Sequence, residues 1–196
     1  MDTFESSPTD AELMLQLCAG HQSQLETLMR RYYQPLFRVA WSKLNHRQAA
    51  EDIVQETFIA VYGSRESYRP GLSFRTWVWT ILLNLCRRQL KKSARNKQVN
   101  HQDPELLVQL APASLIHAET GLSQLLLLEK REQVIHALNQ LPEMQADAIR
   151  LRFYGELAYE EIARTMECSL SGAKRRVQTG LLKLAESLRT NEEDLI

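Results

Sequence analysis

The 196-residue sequence predicts an all-α protein built from two small helical domains joined by a flexible linker. Apolar residues recur at three and four along nearly every long segment, as amphipathic helices require, and strand-type alternation is absent over any useful length. Between Gln98 and Leu122 that period is lost, with Pro104, Pro112 and scattered polar residues, over a stretch too long for a loop inside one compact domain. Hydrophobic residues make up 44% of the chain, ordinary for a globular protein and too many for one disordered throughout.

The first helix follows Asp10, with Leu13 and Leu17 on its inner face. A longer one follows Gly20, where Leu25, Leu28, Met29, Tyr32, Leu36, Val39, Ala40 and Leu44 keep the period. Pro35 falls inside it and predicts a kink or break, because proline lacks a backbone donor and crowds the preceding turn. Ala50 to Tyr62 is a third helix and Phe74 to about Arg95 a fourth, which closes a first domain over 10–97. After a linker over 98–122, a second domain over 123–190 holds helical stretches from Ser123 to Pro142 and from Glu143 to Gly155. It continues with a short "YEEIARTM" and a last helix from about Ser169, before an acidic tail.

No apolar run approaches the roughly 18–20 residues that span a bilayer, and the opening "MDTFESSPTDAEL" is acidic where a secretory signal would be basic and then apolar, so a cytoplasmic protein is expected. Cys18, Cys86 and Cys168 are far apart and form no Cys-x-x-Cys pair, which signals neither a disulfide framework nor zinc. The five histidines, His21, His46, His101, His117 and His136, form no ligand pattern, and no metal or cofactor is expected. Net charge is zero, unlike the usual nucleic-acid binder. The charge is sorted along the chain, however. Arg75 to Lys97 holds Arg75, Arg87, Arg88, Lys91, Lys92, Arg95 and Lys97 with no acid, whereas Gln98 to Leu122 holds Asp103, Glu105 and Glu119 with no Lys or Arg.

The stretch "YEEIARTMECSLSGAKRRVQTGLLKL" has the spacing of two short helices around a tight turn. Ile162, Ala163 and Met166 form the inner face of the first; Glu167 to Ser169 turn; Ser169 or Ser171 can cap the second by accepting from its free N–H groups. Leu170, Ala173, Val177, Leu181, Leu184 and Leu188 then make one narrow apolar stripe. Ser171, Arg175, Arg176 and Thr179 lie away from it, with Lys174 and Gln178 on its border. A run of three charges is usually only a solvated face, but basic residues at the start of the second helix of such a pair are also where side chains meet base edges in the major groove.

In "AEDIVQETFIAVY", Ala50, Val54, Phe58 and Val61 share one face and Asp52, Gln55, Glu56 and Ile59 another. An acidic face carrying an exposed Ile suits docking on a basic helical partner, with plain solvation as the alternative. In "FRTWVWTILLNLCRRQLKK", Phe74, Trp77, Val78, Ile81, Leu82 and Leu85 define the core stripe, Thr76, Thr80, Asn84, Arg87 and Lys91 line one flank, and Trp79 projects roughly opposite the core. A polar flank ending in bases beside an exposed ring fits melted DNA: charges for phosphates and a ring for an unstacked base. With the preceding turn "SYRPGLSF" it can form a pocket for a flipped base.

Taken in order and spacing, "AEDIVQETF", "SYRPGLSFRTWVWTILLNLCRRQLKK" and "LPEMQADAIRLRFYGELAYEEIARTMECSLSGAKRRVQTGLLKL" resemble bacterial sigma factors of the extracytoplasmic-function group. These are minimal sigma-70-type factors with only the second and fourth conserved domains. The resemblance covers about Asp10 to Arg95 and Ser123 to Leu188. It implies that Asp52, Gln55 and Glu56, with Ile59, dock on core RNA polymerase, and that Tyr68 to Phe74, including Arg69 and Ser73, form a loop that captures a base flipped from the −10 element. It further implies that Thr76, Trp79, Thr80, Asn84, Arg87, Arg88 and Lys91 contact −10 DNA, and that Ser171, Lys174, Arg175, Arg176, Gln178 and Thr179 read the −35 element. The acidic linker would thread toward the active-site cleft of the polymerase, and an anti-sigma factor is an implied partner. Such a protein performs no covalent chemistry itself.

The sequence departs from the family pattern at Ala158, where a Ser or Thr is frequent, at "SGAKRR" with Gly172 and Arg175, and after Asn84, where an acidic residue is missing. Two rivals remain on the residues alone. An ordinary helix-turn-helix regulator accounts for Ser169 to Gly180 but leaves the acidic face and the basic aromatic flank unexplained. A nuclease would use Glu51, Asp52 and Glu56 for a metal, yet no His joins them.

Overall fold

The computed structural model describes residues 8–69, 71, 73–96 and 121–193, so the expected linker, apart from its last two residues, lies outside the described residues. Among the described residues the elements are helical throughout. They are α1 (Asp10–Cys18), α2 (Ser23–Leu44), α3 (Arg47–Gly63), a 3-10 turn (Arg65–Ser67), α4 (Phe74–Asn96), α5 (Gly121–Gln140), α6 (Glu143–Phe153), α7 (Tyr159–Thr165) and α8 (Leu170–Glu193).

Helix starts follow local chemistry. At α1, Thr9 Oγ1 accepts from the Glu12 N–H at 3.3 Å while Glu12 Oε2 accepts from the Thr9 N–H at 2.7 Å, a reciprocal capping box. At α3 the cap is His46, whose Nδ1 accepts from the Ala49 N–H at 3.2 Å. The expected break at Pro35 does not occur: α2 runs through it as one helix. Proline there forfeits one bond to the Arg31 carbonyl. Burial of Leu28, Tyr32, Leu36, Phe37, Val39 and Ala40 on either side holds the turns together, because packing of an apolar face outweighs the loss of one helical bond.

α1 to α4 pack as a bundle, and α6, α7 and α8 pack as a second unit with α5 against α8. The two units meet. One apolar cluster runs from Leu13, Leu36, Phe58, Phe74 and Leu82 in the first to Leu151, Leu157, Ile162, Met166 and Val177 in the second. α4 is the shared wall. Its Val78 and Leu82 are buried, as expected, but so is Trp79, expected opposite the core, which with Leu83 and Cys86, spaced at four and three, makes a second buried stripe. α7 packs on α4, and α6 packs on the end of α2.

The inner stripe of α8 also differs from expectation. Ala173, Val177 and Leu184 are buried, but Leu170 and Leu181 are exposed and Gly180 takes the place between Val177 and Leu184. A Cβ on Gly180 would lie 2.8 Å from Ile149 Cδ1 and 3.2 Å from Gln145 Cβ, so only glycine lets α8 approach α6 this closely.

Candidate nucleic-acid interface

The pair α7 and α8 forms the turn the spacing predicted. Glu167 adopts a left-handed conformation (φ 49°), which reverses the chain, and the Cys168 N–H returns to the Ala163 carbonyl at 2.8 Å, closing α7. Of the two candidate caps it is Ser169 that serves: its Oγ accepts from the Gly172 N–H at 3.1 Å. Ser171 Oγ lies 3.1 Å from Ser169 Oγ instead. Ala158 offers no side-chain acceptor to α7, yet its own N–H donates to Glu161 Oε2 at 2.8 Å, which keeps half of a capping box.

Ser171, Lys174, Arg175 and Gln178 are exposed on the outer side of α8, while Arg176 and Thr179 are half-buried. The Tyr159 ring has two cations over it, with Arg152 Cζ 5.1 Å and Lys174 Nζ 5.9 Å from its centroid, so α7 helps to orient Lys174. Thr179 Oγ1 donates to the Arg175 carbonyl at 2.6 Å, which turns that hydroxyl inward along the helix. Arg176 Nη1 is buried with no hydrogen-bond partner.

On α3, Ala50, Val54, Phe58 and Val61 face the core, and the opposite side presents Asp52, Gln55 and Ile59, the last 70% exposed. Asp52 Oδ1 accepts from Gln48 Nε2 at 3.0 Å, and Glu56 is paired with Arg88 of α4, so the acidic face and the basic flank touch through one exposed ion pair.

The α4 flank departs most from expectation. Asn84 and Lys91 are exposed and Arg88 is largely so; Arg69 before the helix is exposed, and Ser73, Thr76 and Thr80 are half-buried. Tyr68 and Phe74 are buried instead: Tyr68 packs on Trp77 with centroids 5.5 Å apart, and Phe74 stands edge-on to Tyr32 at 5.2 Å. Trp79, expected as an exposed ring, is 1% exposed. The reason is the second unit, whose turn after α6 lies over it: a Cβ on Gly155 would come within 3.1 Å of the Trp79 ring. Trp79 Nε1 and Thr76 Oγ1 are both buried without a hydrogen-bond partner, at a cost of about 1–3 kcal/mol for each such group.

Sequence inspection missed the polar half of this contact. Lys43 at the end of α2 is buried and bonds Asp147 Oδ1 at 2.6 Å and Glu143 Oε1 at 3.0 Å. Arg87 reaches the same two carboxylates, Asp147 Oδ2 and Glu143 Oε1, at 3.2 Å each. Arg150 lies 3.5 Å from Asp147, donates to Asn139 Oδ1 at 2.6 Å and crosses to the Ser42 carbonyl at 3.3 Å. Three cations thus surround two acids, with Asp147 completely buried at their centre. Arg75 completes the seam, donating to the Gly155 and Glu156 carbonyls at 3.1 and 3.0 Å and pairing with Glu161 at 3.3 Å. Glu143 and Asp147, four apart with Arg150 one turn after Asp147, were the available signal, but nothing in the sequence says that Lys43 and Arg87 would meet them.

This setting moves the titrating groups. Burial works to raise the Glu143 carboxyl, but the hydrogen bond and charge of Lys43, with Arg87 beside it, hold it below the usual range. Burial pushes the Arg150 guanidinium down, and Asp147 opposes that shift. Burial also pushes the Cys86 thiol up to about 12, which makes it inert as a nucleophile. Among the described residues no group of His, Cys, Asp and Glu is arranged to hold a metal ion.

A basic helix-turn-helix and an acidic face on α3 thus stand in one chain. Comparison with known proteins decides which kind of DNA-associated protein this is. The Sigma-70 region 2 family model matches residues 28–96 and the Sigma-70, region 4 model matches residues 131–184. The chain belongs to the extracytoplasmic-function group of the sigma-70 family. It is 27% identical over 185 residues to RNA polymerase sigma factor YlaC of Bacillus subtilis, covering 89% of this chain and 97% of that protein. To the ECF RNA polymerase sigma-E factor of Haemophilus influenzae it is 28% identical over 172 residues, with 86% and 89% of the two chains covered.

The sigma fold is shared with CnrH, solved in complex with the cytosolic domain of CnrY: TM-score 0.69, 20% identity, 92% of this chain and 97% of that one. RpoE of Bartonella quintana, solved with the anti-sigma factor NepR, gives a TM-score of 0.59 at 24% identity, over 84% and 98% of the chains. Sigma factors are transcription initiation factors and not enzymes. In this sigma factor the region 2 match runs from within α2 to the end of α4 and the region 4 match from within α5 to within α8, and no described helix is long and apolar enough to cross a membrane.

Proposed function

We propose that this chain binds core RNA polymerase through α3, directs it to promoters by reading a −35 element with α8 and a −10 element with the α4 flank and the preceding loop, and assists opening of the −10 region in the cytoplasm. Functional boundaries follow the sequence: 10–97 for core and −10 binding, 98–122 as connector, 123–190 for −35 binding. The observation that carries this is the joint presence, in family order, of a helix-turn-helix with exposed Lys174, Arg175 and Gln178 and of an α3 face with exposed Asp52, Gln55 and Ile59. A plain regulator needs the first and has no use for the second.

Phosphate contacts by Arg87, Arg88 and Lys91, and by Lys174 and Arg176, make promoter binding fall steeply with salt. Thr76, Thr80 and Asn84 supply polar contacts on the −10 side, and Tyr68, Arg69, Ser73, Phe74 and Trp79 shape the pocket for the flipped base; for the buried rings this requires the loop and region 4 to move. Control by an anti-sigma factor is supported by the similarly folded RpoE of Bartonella quintana, solved with the anti-sigma factor NepR. The test is reconstitution: with core polymerase the chain supports initiation from a matched promoter, and Arg176→Ala lowers −35-dependent initiation while leaving core binding intact. Equal loss of both would assign Arg176 a folding role, and binding to duplex sites without any initiation would favour the regulator.

A further inference from the structure

We propose that the seam between the two regions is an autoinhibitory contact, in which region 4 of the same chain occupies Arg87 and Trp79 on the −10 side of α4 and withholds them from nucleic acid until the regions are drawn apart. The proposal rests on the assignment of the α4 flank to −10 DNA given above.

The chemistry of the seam is that of a nucleic-acid surrogate. Glu143 and Asp147 present carboxylate oxygens to Arg87 at 3.2 Å each, taking the place a backbone phosphate would take. The Gly155 turn covers the Trp79 ring, the platform a base would need. Arg75 is engaged by two backbone carbonyls and by Glu161. Region 4 therefore supplies Arg87 with anionic partners and covers the Trp79 ring, two things a melted strand would do.

It does so incompletely, and that matters for release. Trp79, which the Gly155 turn covers, has its Nε1 buried with no partner. Opening frees it to bond water or DNA, so closure is opposed from within while the ion cluster and the apolar contacts favour it. Salt alone does not undo the cluster, because Lys43, Asp147 and Arg150 are buried and weakly screened. Meanwhile Asp52, Gln55 and Ile59 stay exposed, as do Lys174, Arg175 and Gln178. The closed chain can meet core polymerase through α3. What it withholds is the part of the −10 surface formed by Arg87 and Trp79, while Asn84, Arg88 and Lys91 stay exposed.

The test uses the full chain alone. Arg75→Ala and Lys43→Met each remove contacts across the seam from the region 2 side, so region 4 keeps its own packing. Small-angle X-ray scattering gives the radius of gyration, and fluorescence anisotropy of a labelled oligothymidine strand reports access to the basic, aromatic flank. The wild type is expected to scatter as a compact particle. The double variant should have a larger radius and bind the strand about tenfold tighter, the factor hidden when the open form is about a tenth of the population. Arg75→Ala alone, half-exposed and tolerant of truncation, should move both readouts the same way to a lesser degree. A wild type already as extended as two separated domains overturns the proposal, and so do folded variants that bind no tighter. Transcription with core polymerase separates the two levels: if it is supported by a wild type that is extended alone, the seam idea fails and the initiation role stands. If a compact wild type fails to support it, the initiation role fails, and with it the reading of the seam as autoinhibition.

Discussion

Asp147→Asn tests the ion cluster directly. The substitution keeps shape and removes one charge at a side chain with no solvent exposure. Lys43, 3% exposed, then has Glu143 as its remaining carboxylate, and Glu143 must also serve Arg87. Arg150 loses its ionic partner but keeps Asn139 and the Ser42 carbonyl. Breaking a buried pair from one side typically costs about 3–5 kcal/mol. Because Glu143 and these neutral acceptors compensate in part, the lower end, about 3 kcal/mol, is expected. With a urea slope of about 2 kcal/mol per molar, the unfolding midpoint should fall by about 1.5 M. Adding Lys43→Met removes the stranded ammonium and supplies an apolar chain of similar length. The double variant should therefore be more stable than Asp147→Asn alone, with a coupling of about 1–2 kcal/mol in the double-mutant cycle. Circular dichroism during urea titration of the four proteins measures this. A double variant destabilised by the plain sum of the two singles would refute the claim that Lys43 and Asp147 act as a buried pair.

Gly180→Val places a branched side chain where even a Cβ lies 2.8 Å from Ile149, so region 4 should lose about 2–3 kcal/mol by overpacking, read as a lower thermal midpoint together with weaker −35 duplex binding. Ile59→Asp, at a 70% exposed position, should leave stability within about 0.5 kcal/mol while reducing capture by immobilised core polymerase at least several-fold. Glu143 is held below its ordinary value in the closed form, so its contribution to closure is complete above the usual carboxylate range and is lost as pH falls through the lowered value. The radius of gyration should therefore rise as the solution is taken below about pH 4.3.

Periodicity determined most of the architecture. Helix positions, the inner face of α3 and the outer face of α8 depend on local spacing, which a sequence carries in full. The family motifs added the order of the two regions. Local spacing could not say what lies across from a second stripe. Trp79 recurs at helical intervals with Leu83 and Cys86, yet by itself it looks like part of a solvent or DNA face until region 4 is seen against it. Gly180 shows the same limit, since a residue with no side chain leaves no apolar signal, although close approach of α6 makes it part of the core.

The charges divide in the same way. Sequence alone determined that Arg87 lies on a basic flank and that Asp147 lies one turn after Glu143; both follow from position along a helix. Only the tertiary structure decided that Arg87, Lys43 and Arg150 share those two acids across a seam, because Lys43 and Asp147 are far apart in the chain and their pairing depends on how two bundles dock. Burial then makes that pairing energetically large, since a charge removed from water must find an opposite charge or lose stability.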